Sequence, residues 1–143
     1  MINLSGIQQS VYSALISAPN TYPVYDAVPQ GVVKPYIVIG EYTVQSDEDL
    51  QIITADATLT IHTWSATAGK AQTHTMLDFV RGRLDNQLLP GAWDCEEDFV
   101  EIMEDPSSTA SSRLYHGIAR YRIRIDDGAV IPPLGQFDVE QFA

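Results

Sequence analysis

Three histidines, His62, His74 and His116, are the side chains of this sequence best suited to moving a proton near neutral pH. They show no HxxxH or HxH spacing, so a zinc site would have to be assembled from distant parts of the chain. Asp47, Glu48 and Asp49 are consecutive, and on an extended chain they point to alternate sides. They lack the spaced ligands and the glycine of a calcium loop, and read instead as a solvated loop tip or an interface with a basic partner. Serines are common, but no Gly-x-Ser-x-Gly elbow occurs. Ser107, Ser108, Ser111 and Ser112 lie in "PSSTASS", too loose a stretch to hold a nucleophile against a base. No GxGxxG or Walker pattern is present. The single cysteine, Cys95, has Asp94, Glu96 and Glu97 beside it, and these raise a thiol's pKa. Catalytic, metal-binding and cofactor-binding residues are therefore not expected, and the chain does not read as an enzyme.

The one local anomaly of charge is "ARYRIRI", in which Arg120, Arg122 and Arg124 recur with period two. That period puts three guanidinium groups on one face of a strand. Two readings stand: cross-strand pairing with the acidic run Glu97 to Glu104, or contact with a neighbouring subunit or a phosphate surface. The whole chain of 143 residues carries 8 Lys and Arg against 19 Asp and Glu, a formal charge of −11. Such a balance argues against nucleic-acid reading and against adsorption to anionic membranes. It also keeps free subunits apart. The N-terminus lacks a basic leader and no run approaches the length of a membrane span, so synthesis and residence in a reducing cytoplasm are expected.

The elements that carry these residues follow from periodicity. Leu4, Ile7, Val11, Ala14, Leu15 and Ala18 share a helical face, with Asn3 or Ser5 as cap and Pro19 beyond the end. A short strand is expected from Tyr22 to Ala27, at an edge because of Pro23. "VPQG" is a turn, and a strand runs from Tyr36 to about Thr43, with Gly40 permitting a bulge or a close approach before Glu41. That strand is apolar on both sides: Tyr36, Val38 and Tyr42 on one, Ile37 and Ile39 on the other. "VQSDEDLQIITAD" reads as a long connection or the tip of an extended hairpin. "ATLTIHTW" alternates cleanly, with His62 and Trp64 on one side. A second helix follows, capped by Ser65 or Thr67, with Ala71, Leu77, Val80, Leu84 and Leu88 on its stripe and Pro90-Gly91 as its stop. A charged strand around Phe99, Val100, Ile102 and Met103 and a last strand, "HGIARYRIRI", complete the set.

Sequential strands without crossover helices favour antiparallel pairing. The expected fold is α+β: a mostly antiparallel sheet of four to five strands with two helices packed on one face. One face of that sheet is then without cover from its own chain, and a neighbouring subunit is the economical candidate. Residues 1–126 form the expected domain and residues 127–143 a C-terminal arm.

The succession "VPQG", "PYIVIGEY", "ATLTIHTWS" before a helix, and "HGIARYRIRI" resembles the tail completion or tail terminator proteins of long-tailed phages, with relatives in prophages and gene transfer agents. The resemblance spans about Leu4 to Asp126. It implies a structural virion protein, made in the host cytoplasm, that assembles as a homo-hexameric ring on the tail tube protein. The ring ends tube growth and offers a head–tail joining surface to a head-completion or neck protein. Double-stranded DNA passes through without specific binding, and no cofactor or membrane is implied. Asp47, Glu48, Asp49 and Leu50, with Arg120, Arg122 and Arg124, are the expected interface residues. Two other readings are a neck protein on the portal side, and a small cytosolic α+β enzyme or ligand-binding domain with a pocket near His62 and His116.

Overall fold

Two long strands that alternate apolar and polar residues organise the chain. β3 (Ile53–Ser65) and β6 (Tyr115–Asp126) pair antiparallel without a register break, from Thr54 opposite Asp126 to Ser65 opposite Tyr115. The computed structural model describes residues 4–48, 53–67, 69–89 and 93–126. Around the central pair stand β2 (Tyr36–Glu48) beside β3 and β5 (Trp93–Glu104) beside β6, with β1 (Val24–Tyr25) and β4 (Gln87–Leu89) at the two edges. The sheet thus has six strands in the order β1-β2-β3-β6-β5-β4. All neighbours are antiparallel except β1, which runs parallel to β2.

Ala57, Leu59 and Ile61 of β3 and Ala119, Tyr121 and Ile123 of β6 point to one side and are fully buried. Helices α1 (Leu4–Ile16) and α2 (Ala71–Leu84) cover that side with Ile7, Val11 and Leu15 from the first and Met76, Leu77, Val80 and Leu84 from the second. Removing each such side chain from water contributes roughly 1.5–3 kcal/mol. α1 touches both edge strands, β1 and β4, as well as α2, so the sheet curls around the helix pair and presents a convex face outward.

Several expectations change at this level. The sheet has one strand more than four to five, because "QLL" forms β4 rather than the end of α2. The helix stops at Leu84: Asp85 is extended and Asn86 has a φ of +56°, which turns the chain out of the helix. Leu88 is consequently 66% exposed, not part of a buried stripe. Neither Ser65 nor Thr67 caps α2; the N-cap position is Lys70, and Ser65, still in β3, donates to Gln72 at 2.6 Å. The edge strand near Pro23 is present but only two residues long. β2 and β3 make the extended hairpin, with β2 continuing to Glu48 instead of ending near Thr43.

β2 also explains its two apolar faces. A bulge falls between Ile39 and Tyr42. Before it, Ile37 and Ile39 face the helices; after it, Tyr42 and Val44 do, so Tyr42 leaves the side it would share with Tyr36 and Val38. A Cβ on Gly40 would come within 2.5 Å of His62 Cδ2 and 2.9 Å of the Thr60 carbonyl, so the bulge needs glycine for close approach.

Arg83, on α2, closes the end of α1. Its guanidinium donates to the carbonyls of Ala14 at 3.1 Å and Ser17 at 2.6 Å and to that of Pro19, and it lies 4.8 Å from the Phe79 ring centroid. The Ala14 carbonyl is one of the last-turn acceptors of α1, at the negative end of its dipole; those of Ser17 and Pro19 follow just beyond the helix. Arg83→Ala is expected to lower stability by about 1.5–3 kcal/mol, the range for hydrogen bonds to a charged donor. Urea unfolding with an unchanged m-value checks this; a midpoint equal to that of the native chain would show that the cap contributes nothing.

Candidate functional site

Register fixes what stands on the convex face, which neither described helix covers, since residues directly opposite each other share a side. At one end Tyr36, Trp64, His116 and Met103 stand in a row across four strands, followed by Val38, His62, Ile118 and Glu101. Thr60, Arg120 and Phe99 come next, then Thr43, Thr58, Arg122 and Glu96. Gln45, Asp56, Arg124, Asp94 and Leu88 form the last complete row. The face therefore passes from aromatic and histidine-rich at one end to arginine-rich at the other.

At the aromatic end the fold joins residues that sequence spacing left apart. His62 Nδ1 lies 2.7 Å from His116 Nε2, and His62 Nε2 lies 3.0 Å from Glu41 Oε1. The Glu41 carboxylate only accepts, so His62 Nε2 carries a proton and donates to it. With a neutral His62 ring, Nδ1 accepts from His116 Nε2–H; with a protonated ring, Nδ1 donates to His116 Nε2. The His116 ring stacks on Trp64 with centroids 4.0 Å apart and an interplanar angle of 11°. The hydrogen bond from His62 is the main cause holding the Glu41 carboxyl below its ordinary value. Burial is the main cause that lowers the His116 pKa, helped by His62 and opposed by Asp105 and Glu41.

This chain of hydrogen bonds links Glu41 to His116. The described surface includes two recesses, and neither encloses it. One of about 520 Å³ is lined by residues that include Asn86, Leu88, Arg122 and Arg124, and one of about 380 Å³ by Gln8, Tyr12, Val24 and Tyr25 among others; neither touches Glu41, His62 or His116. The structure thus brings together the His62 and His116 that the alternative reading placed at a pocket, with neither of these recesses at the pair; Glu41, 21 positions from His62, was not anticipated beside them because it arrives through register and the Gly40 bulge. The alternation that set His62 and Trp64 on one side was the available signal.

At the other end Arg120 and Arg122 find a partner in the acidic run Glu97 to Glu104, while Arg124 pairs with a residue outside it. Asp98, beside a bulge in β5, lies 3.9 Å from Arg120 and 3.6 Å from Arg122, while Arg124 lies 3.6 Å from Asp56 of β3. Arg120 also stands over the Phe99 ring at 4.8 Å. The three arginine side chains remain 41–66% exposed, where such pairs contribute little. Glu97 belongs to the opposite side and binds Arg81 of α2 at 2.7 Å. Asp47 and Glu48 close β2 opposite Thr54 and Ile53, at the Arg124 end of the sheet; Asp49 and Leu50 lie outside the described residues. Cys95 is buried and its thiol is pushed up to about 12, mainly by burial and secondarily by Asp85, rather than by its sequence neighbours.

A family model for tail completion protein gp17 matches residues 9–126. The chain belongs to that family. The match takes in every described strand and most of α1. Family membership makes the protein a structural component of a phage-type tail and hence of a virion. The fold is similar to a chain of a solved virion of a native gene transfer agent particle, with a TM-score of 0.75 at 20% identity; the likeness covers 88% of this chain and 99% of that one. No curated protein matches the sequence. Among the described residues no helix is long and apolar enough to cross a membrane.

The tail completion domain should lose stability in acid partly through this cluster. The lowered Glu41 pKa contributes stability above the unfolded carboxyl value and loses it as pH falls through the folded value. The lowered His116 pKa means that the unfolded chain binds the proton first, so stability also falls as pH drops below the ordinary histidine value. His116→Phe keeps a ring against Trp64 and removes that titration. Its melting temperature is expected to fall less than the native protein's between about pH 7 and 5; parallel curves in thermal unfolding would refute the assignment.

Proposed function

We propose that the protein forms a ring, six copies in the assembled particle, that caps the tail tube, ends its elongation and provides the head–tail joining surface. The observation that carries this reading is the tail completion family match across the whole sheet. The solved relative whose fold it resembles belongs to a gene transfer agent virion, which supports a place in a particle of that kind. The partners are further copies of the chain, the tail tube protein and a head-completion or neck protein, with double-stranded DNA passing through the ring. Six subunits of charge −11 would total about −66, a channel that repels rather than grips phosphates.

The open face supports the ring because it holds half-exposed aromatics and arginines that no described residue covers. A heterologous contact using such a face against a different surface of the next copy closes when the rotation suits six subunits. The arginine row and the hairpin end at Asp47, Glu48, Asp49 and Leu50 are the surfaces proposed for these contacts. Mixed with tube protein, the purified chain is expected to appear as rings at tube ends by electron microscopy, with a hexamer mass by light scattering. A monomer at all concentrations, with and without tubes, would refute the reading, and capture by portal-side components alone would move the ring to the neck. Deleting Asp47–Asp49 is expected to block tail joining while the melting temperature holds; normal joining would remove the hairpin from the interface.

A further inference from the structure

We propose that His62 and His116 form a one-proton device: the pair takes up one proton with its contact intact, and a second proton drives His116 off both His62 and Trp64, uncovering the aromatic end in acid. The contact itself carries the argument. The ring centroids lie 4.9 Å apart at an interplanar angle of 26°, and His62 Nδ1 is 2.7 Å from His116 Nε2. With the nitrogens this close, the rings meet edge to edge through one hydrogen bond rather than face to face.

One hydrogen bond between two imidazoles needs one proton in it. His62 Nε2 gives its own proton to the bond with Glu41, 3.0 Å away, so the inter-ring bond forms whether or not the pair carries a charge. In the neutral pair His116 donates; after one protonation either ring can. The added charge then lies between the Glu41 carboxylate and the face of Trp64, whose ring centroid is 4.0 Å from that of His116 at 11°. A second proton puts an N–H on both facing nitrogens. Two donors that each carry a positive charge have no bond to make and repel at that distance.

Packing decides which ring gives way. His62 is held by Glu41 and by the Gly40 backbone, where a Cβ would come within 2.5 Å of His62 Cδ2, and its side chain is only 19% exposed. Among the described residues, the His116 ring has His62 as its one hydrogen-bond partner and is otherwise held by its stack on Trp64. The charged groups around the pair favour the same outcome. Lys34 before β2 and Arg120 of β6 are the cations at this end; Glu41 of β2, Glu101 of β5 and Asp105 just after β5 are the carboxylates. Tyr36 and Met103 complete the row of Trp64 and His116. Burial, then His62, oppose a proton on His116, while Asp105 and Glu41 favour one. An outward swing of His116 removes both opposing causes and leaves Asp105 as its counter-charge.

The device goes beyond the ring reading and does not depend on it. Imidazole 1H–15N NMR of the full chain across an acid titration tests it, with His74, exposed on α2, as a single-site reference. The expected result is a first step in which the His62 and His116 nitrogens respond together to one proton while the Trp64 indole N–H stays in place. In a second step the Trp64 indole N–H and the His116 ring shift together while the α2 amides hold. A Trp64 response to the first proton, or none to the second, would overturn the proposal. So would two independent curves of the His74 type, or loss of the α2 amide signals together with the Trp64 shift, since unfolding would then be the cause. Glu41→Gln is expected to lower the pair's affinity for its first proton by up to about fivefold, the range for an exposed ion pair; an unchanged first step would overturn the part given to Glu41. His116→Phe keeps a ring on Trp64 and is expected to abolish the second Trp64 shift, and a shift that persists would show that another group drives it.

Discussion

The antiparallel pairing of β3 with β6 is the constraint from which the rest of the structure follows. A side chain on one of these strands can face only the helices or the open side, and a slip of one residue would exchange the two sets. Register is held because the helix side is dry: Leu59 and Ile61 against Ala119 and Tyr121 cannot be traded for Thr60 and His62 against Arg120 and Ile118 without exposing the core. The same pairing that secures the core thus places three arginines and two histidines on the opposite surface. Gly117 belongs to this arrangement too, since a Cβ there would meet Thr63, Thr73 and Leu77 and push α2 off the sheet.

The flanking strands depart from strict alternation at one point each, and both departures reshape the open face. The bulge at Gly40 and Glu41 turns Tyr42 inward and brings Glu41 to His62. The irregularity between Glu97 and Phe99 keeps Glu97 on the helix side with Arg81 and sets Asp98 between Arg120 and Arg122. In each case an acidic residue at a bulge meets the polar end of a side chain from a regular strand. Bulges re-aim side chains in this way because the extra residue breaks the two-residue period locally.

What could be read beforehand was whatever alternation or helical period encodes. The α+β class, the apolar face of α1, the two sides of β3 and β6, and the glycine need at position 40 were all legible in this sense. β4 was not, because "QLL" after a helical stripe keeps helical period and only the left-handed Asn86 separates it. Arg83 was not, because its acceptors are more than sixty positions away and no pattern links a helix arginine to a distant helix end. The arginine row was legible as a row, and its cross-strand partner was narrowed to an acidic strand, but selecting Asp98 required the bulge. His62 and His116 were legible together only as the lining of an alternative pocket; their direct contact, and Glu41 beside them, needed the strand register.

The two ends of the convex face are prepared differently for contact. At the aromatic end, Trp64, His116, His62 and Glu41 hold one another by stacking and hydrogen bonds, so their rotamers are already restricted. A partner that packs there loses little side-chain entropy, which is the usual condition for a large aromatic to dominate an interface. At the other end the arginines are long, half-exposed and weakly paired, and fixing each one costs rotamer freedom. Such groups contribute more to steering and to choosing a register than to net affinity. An acidic surface presented to this face would therefore be drawn and aligned by the arginine row and held at the tryptophan. That division follows from the direction of β6 alone, because its arginines and His116 occupy the same side of one strand at opposite ends.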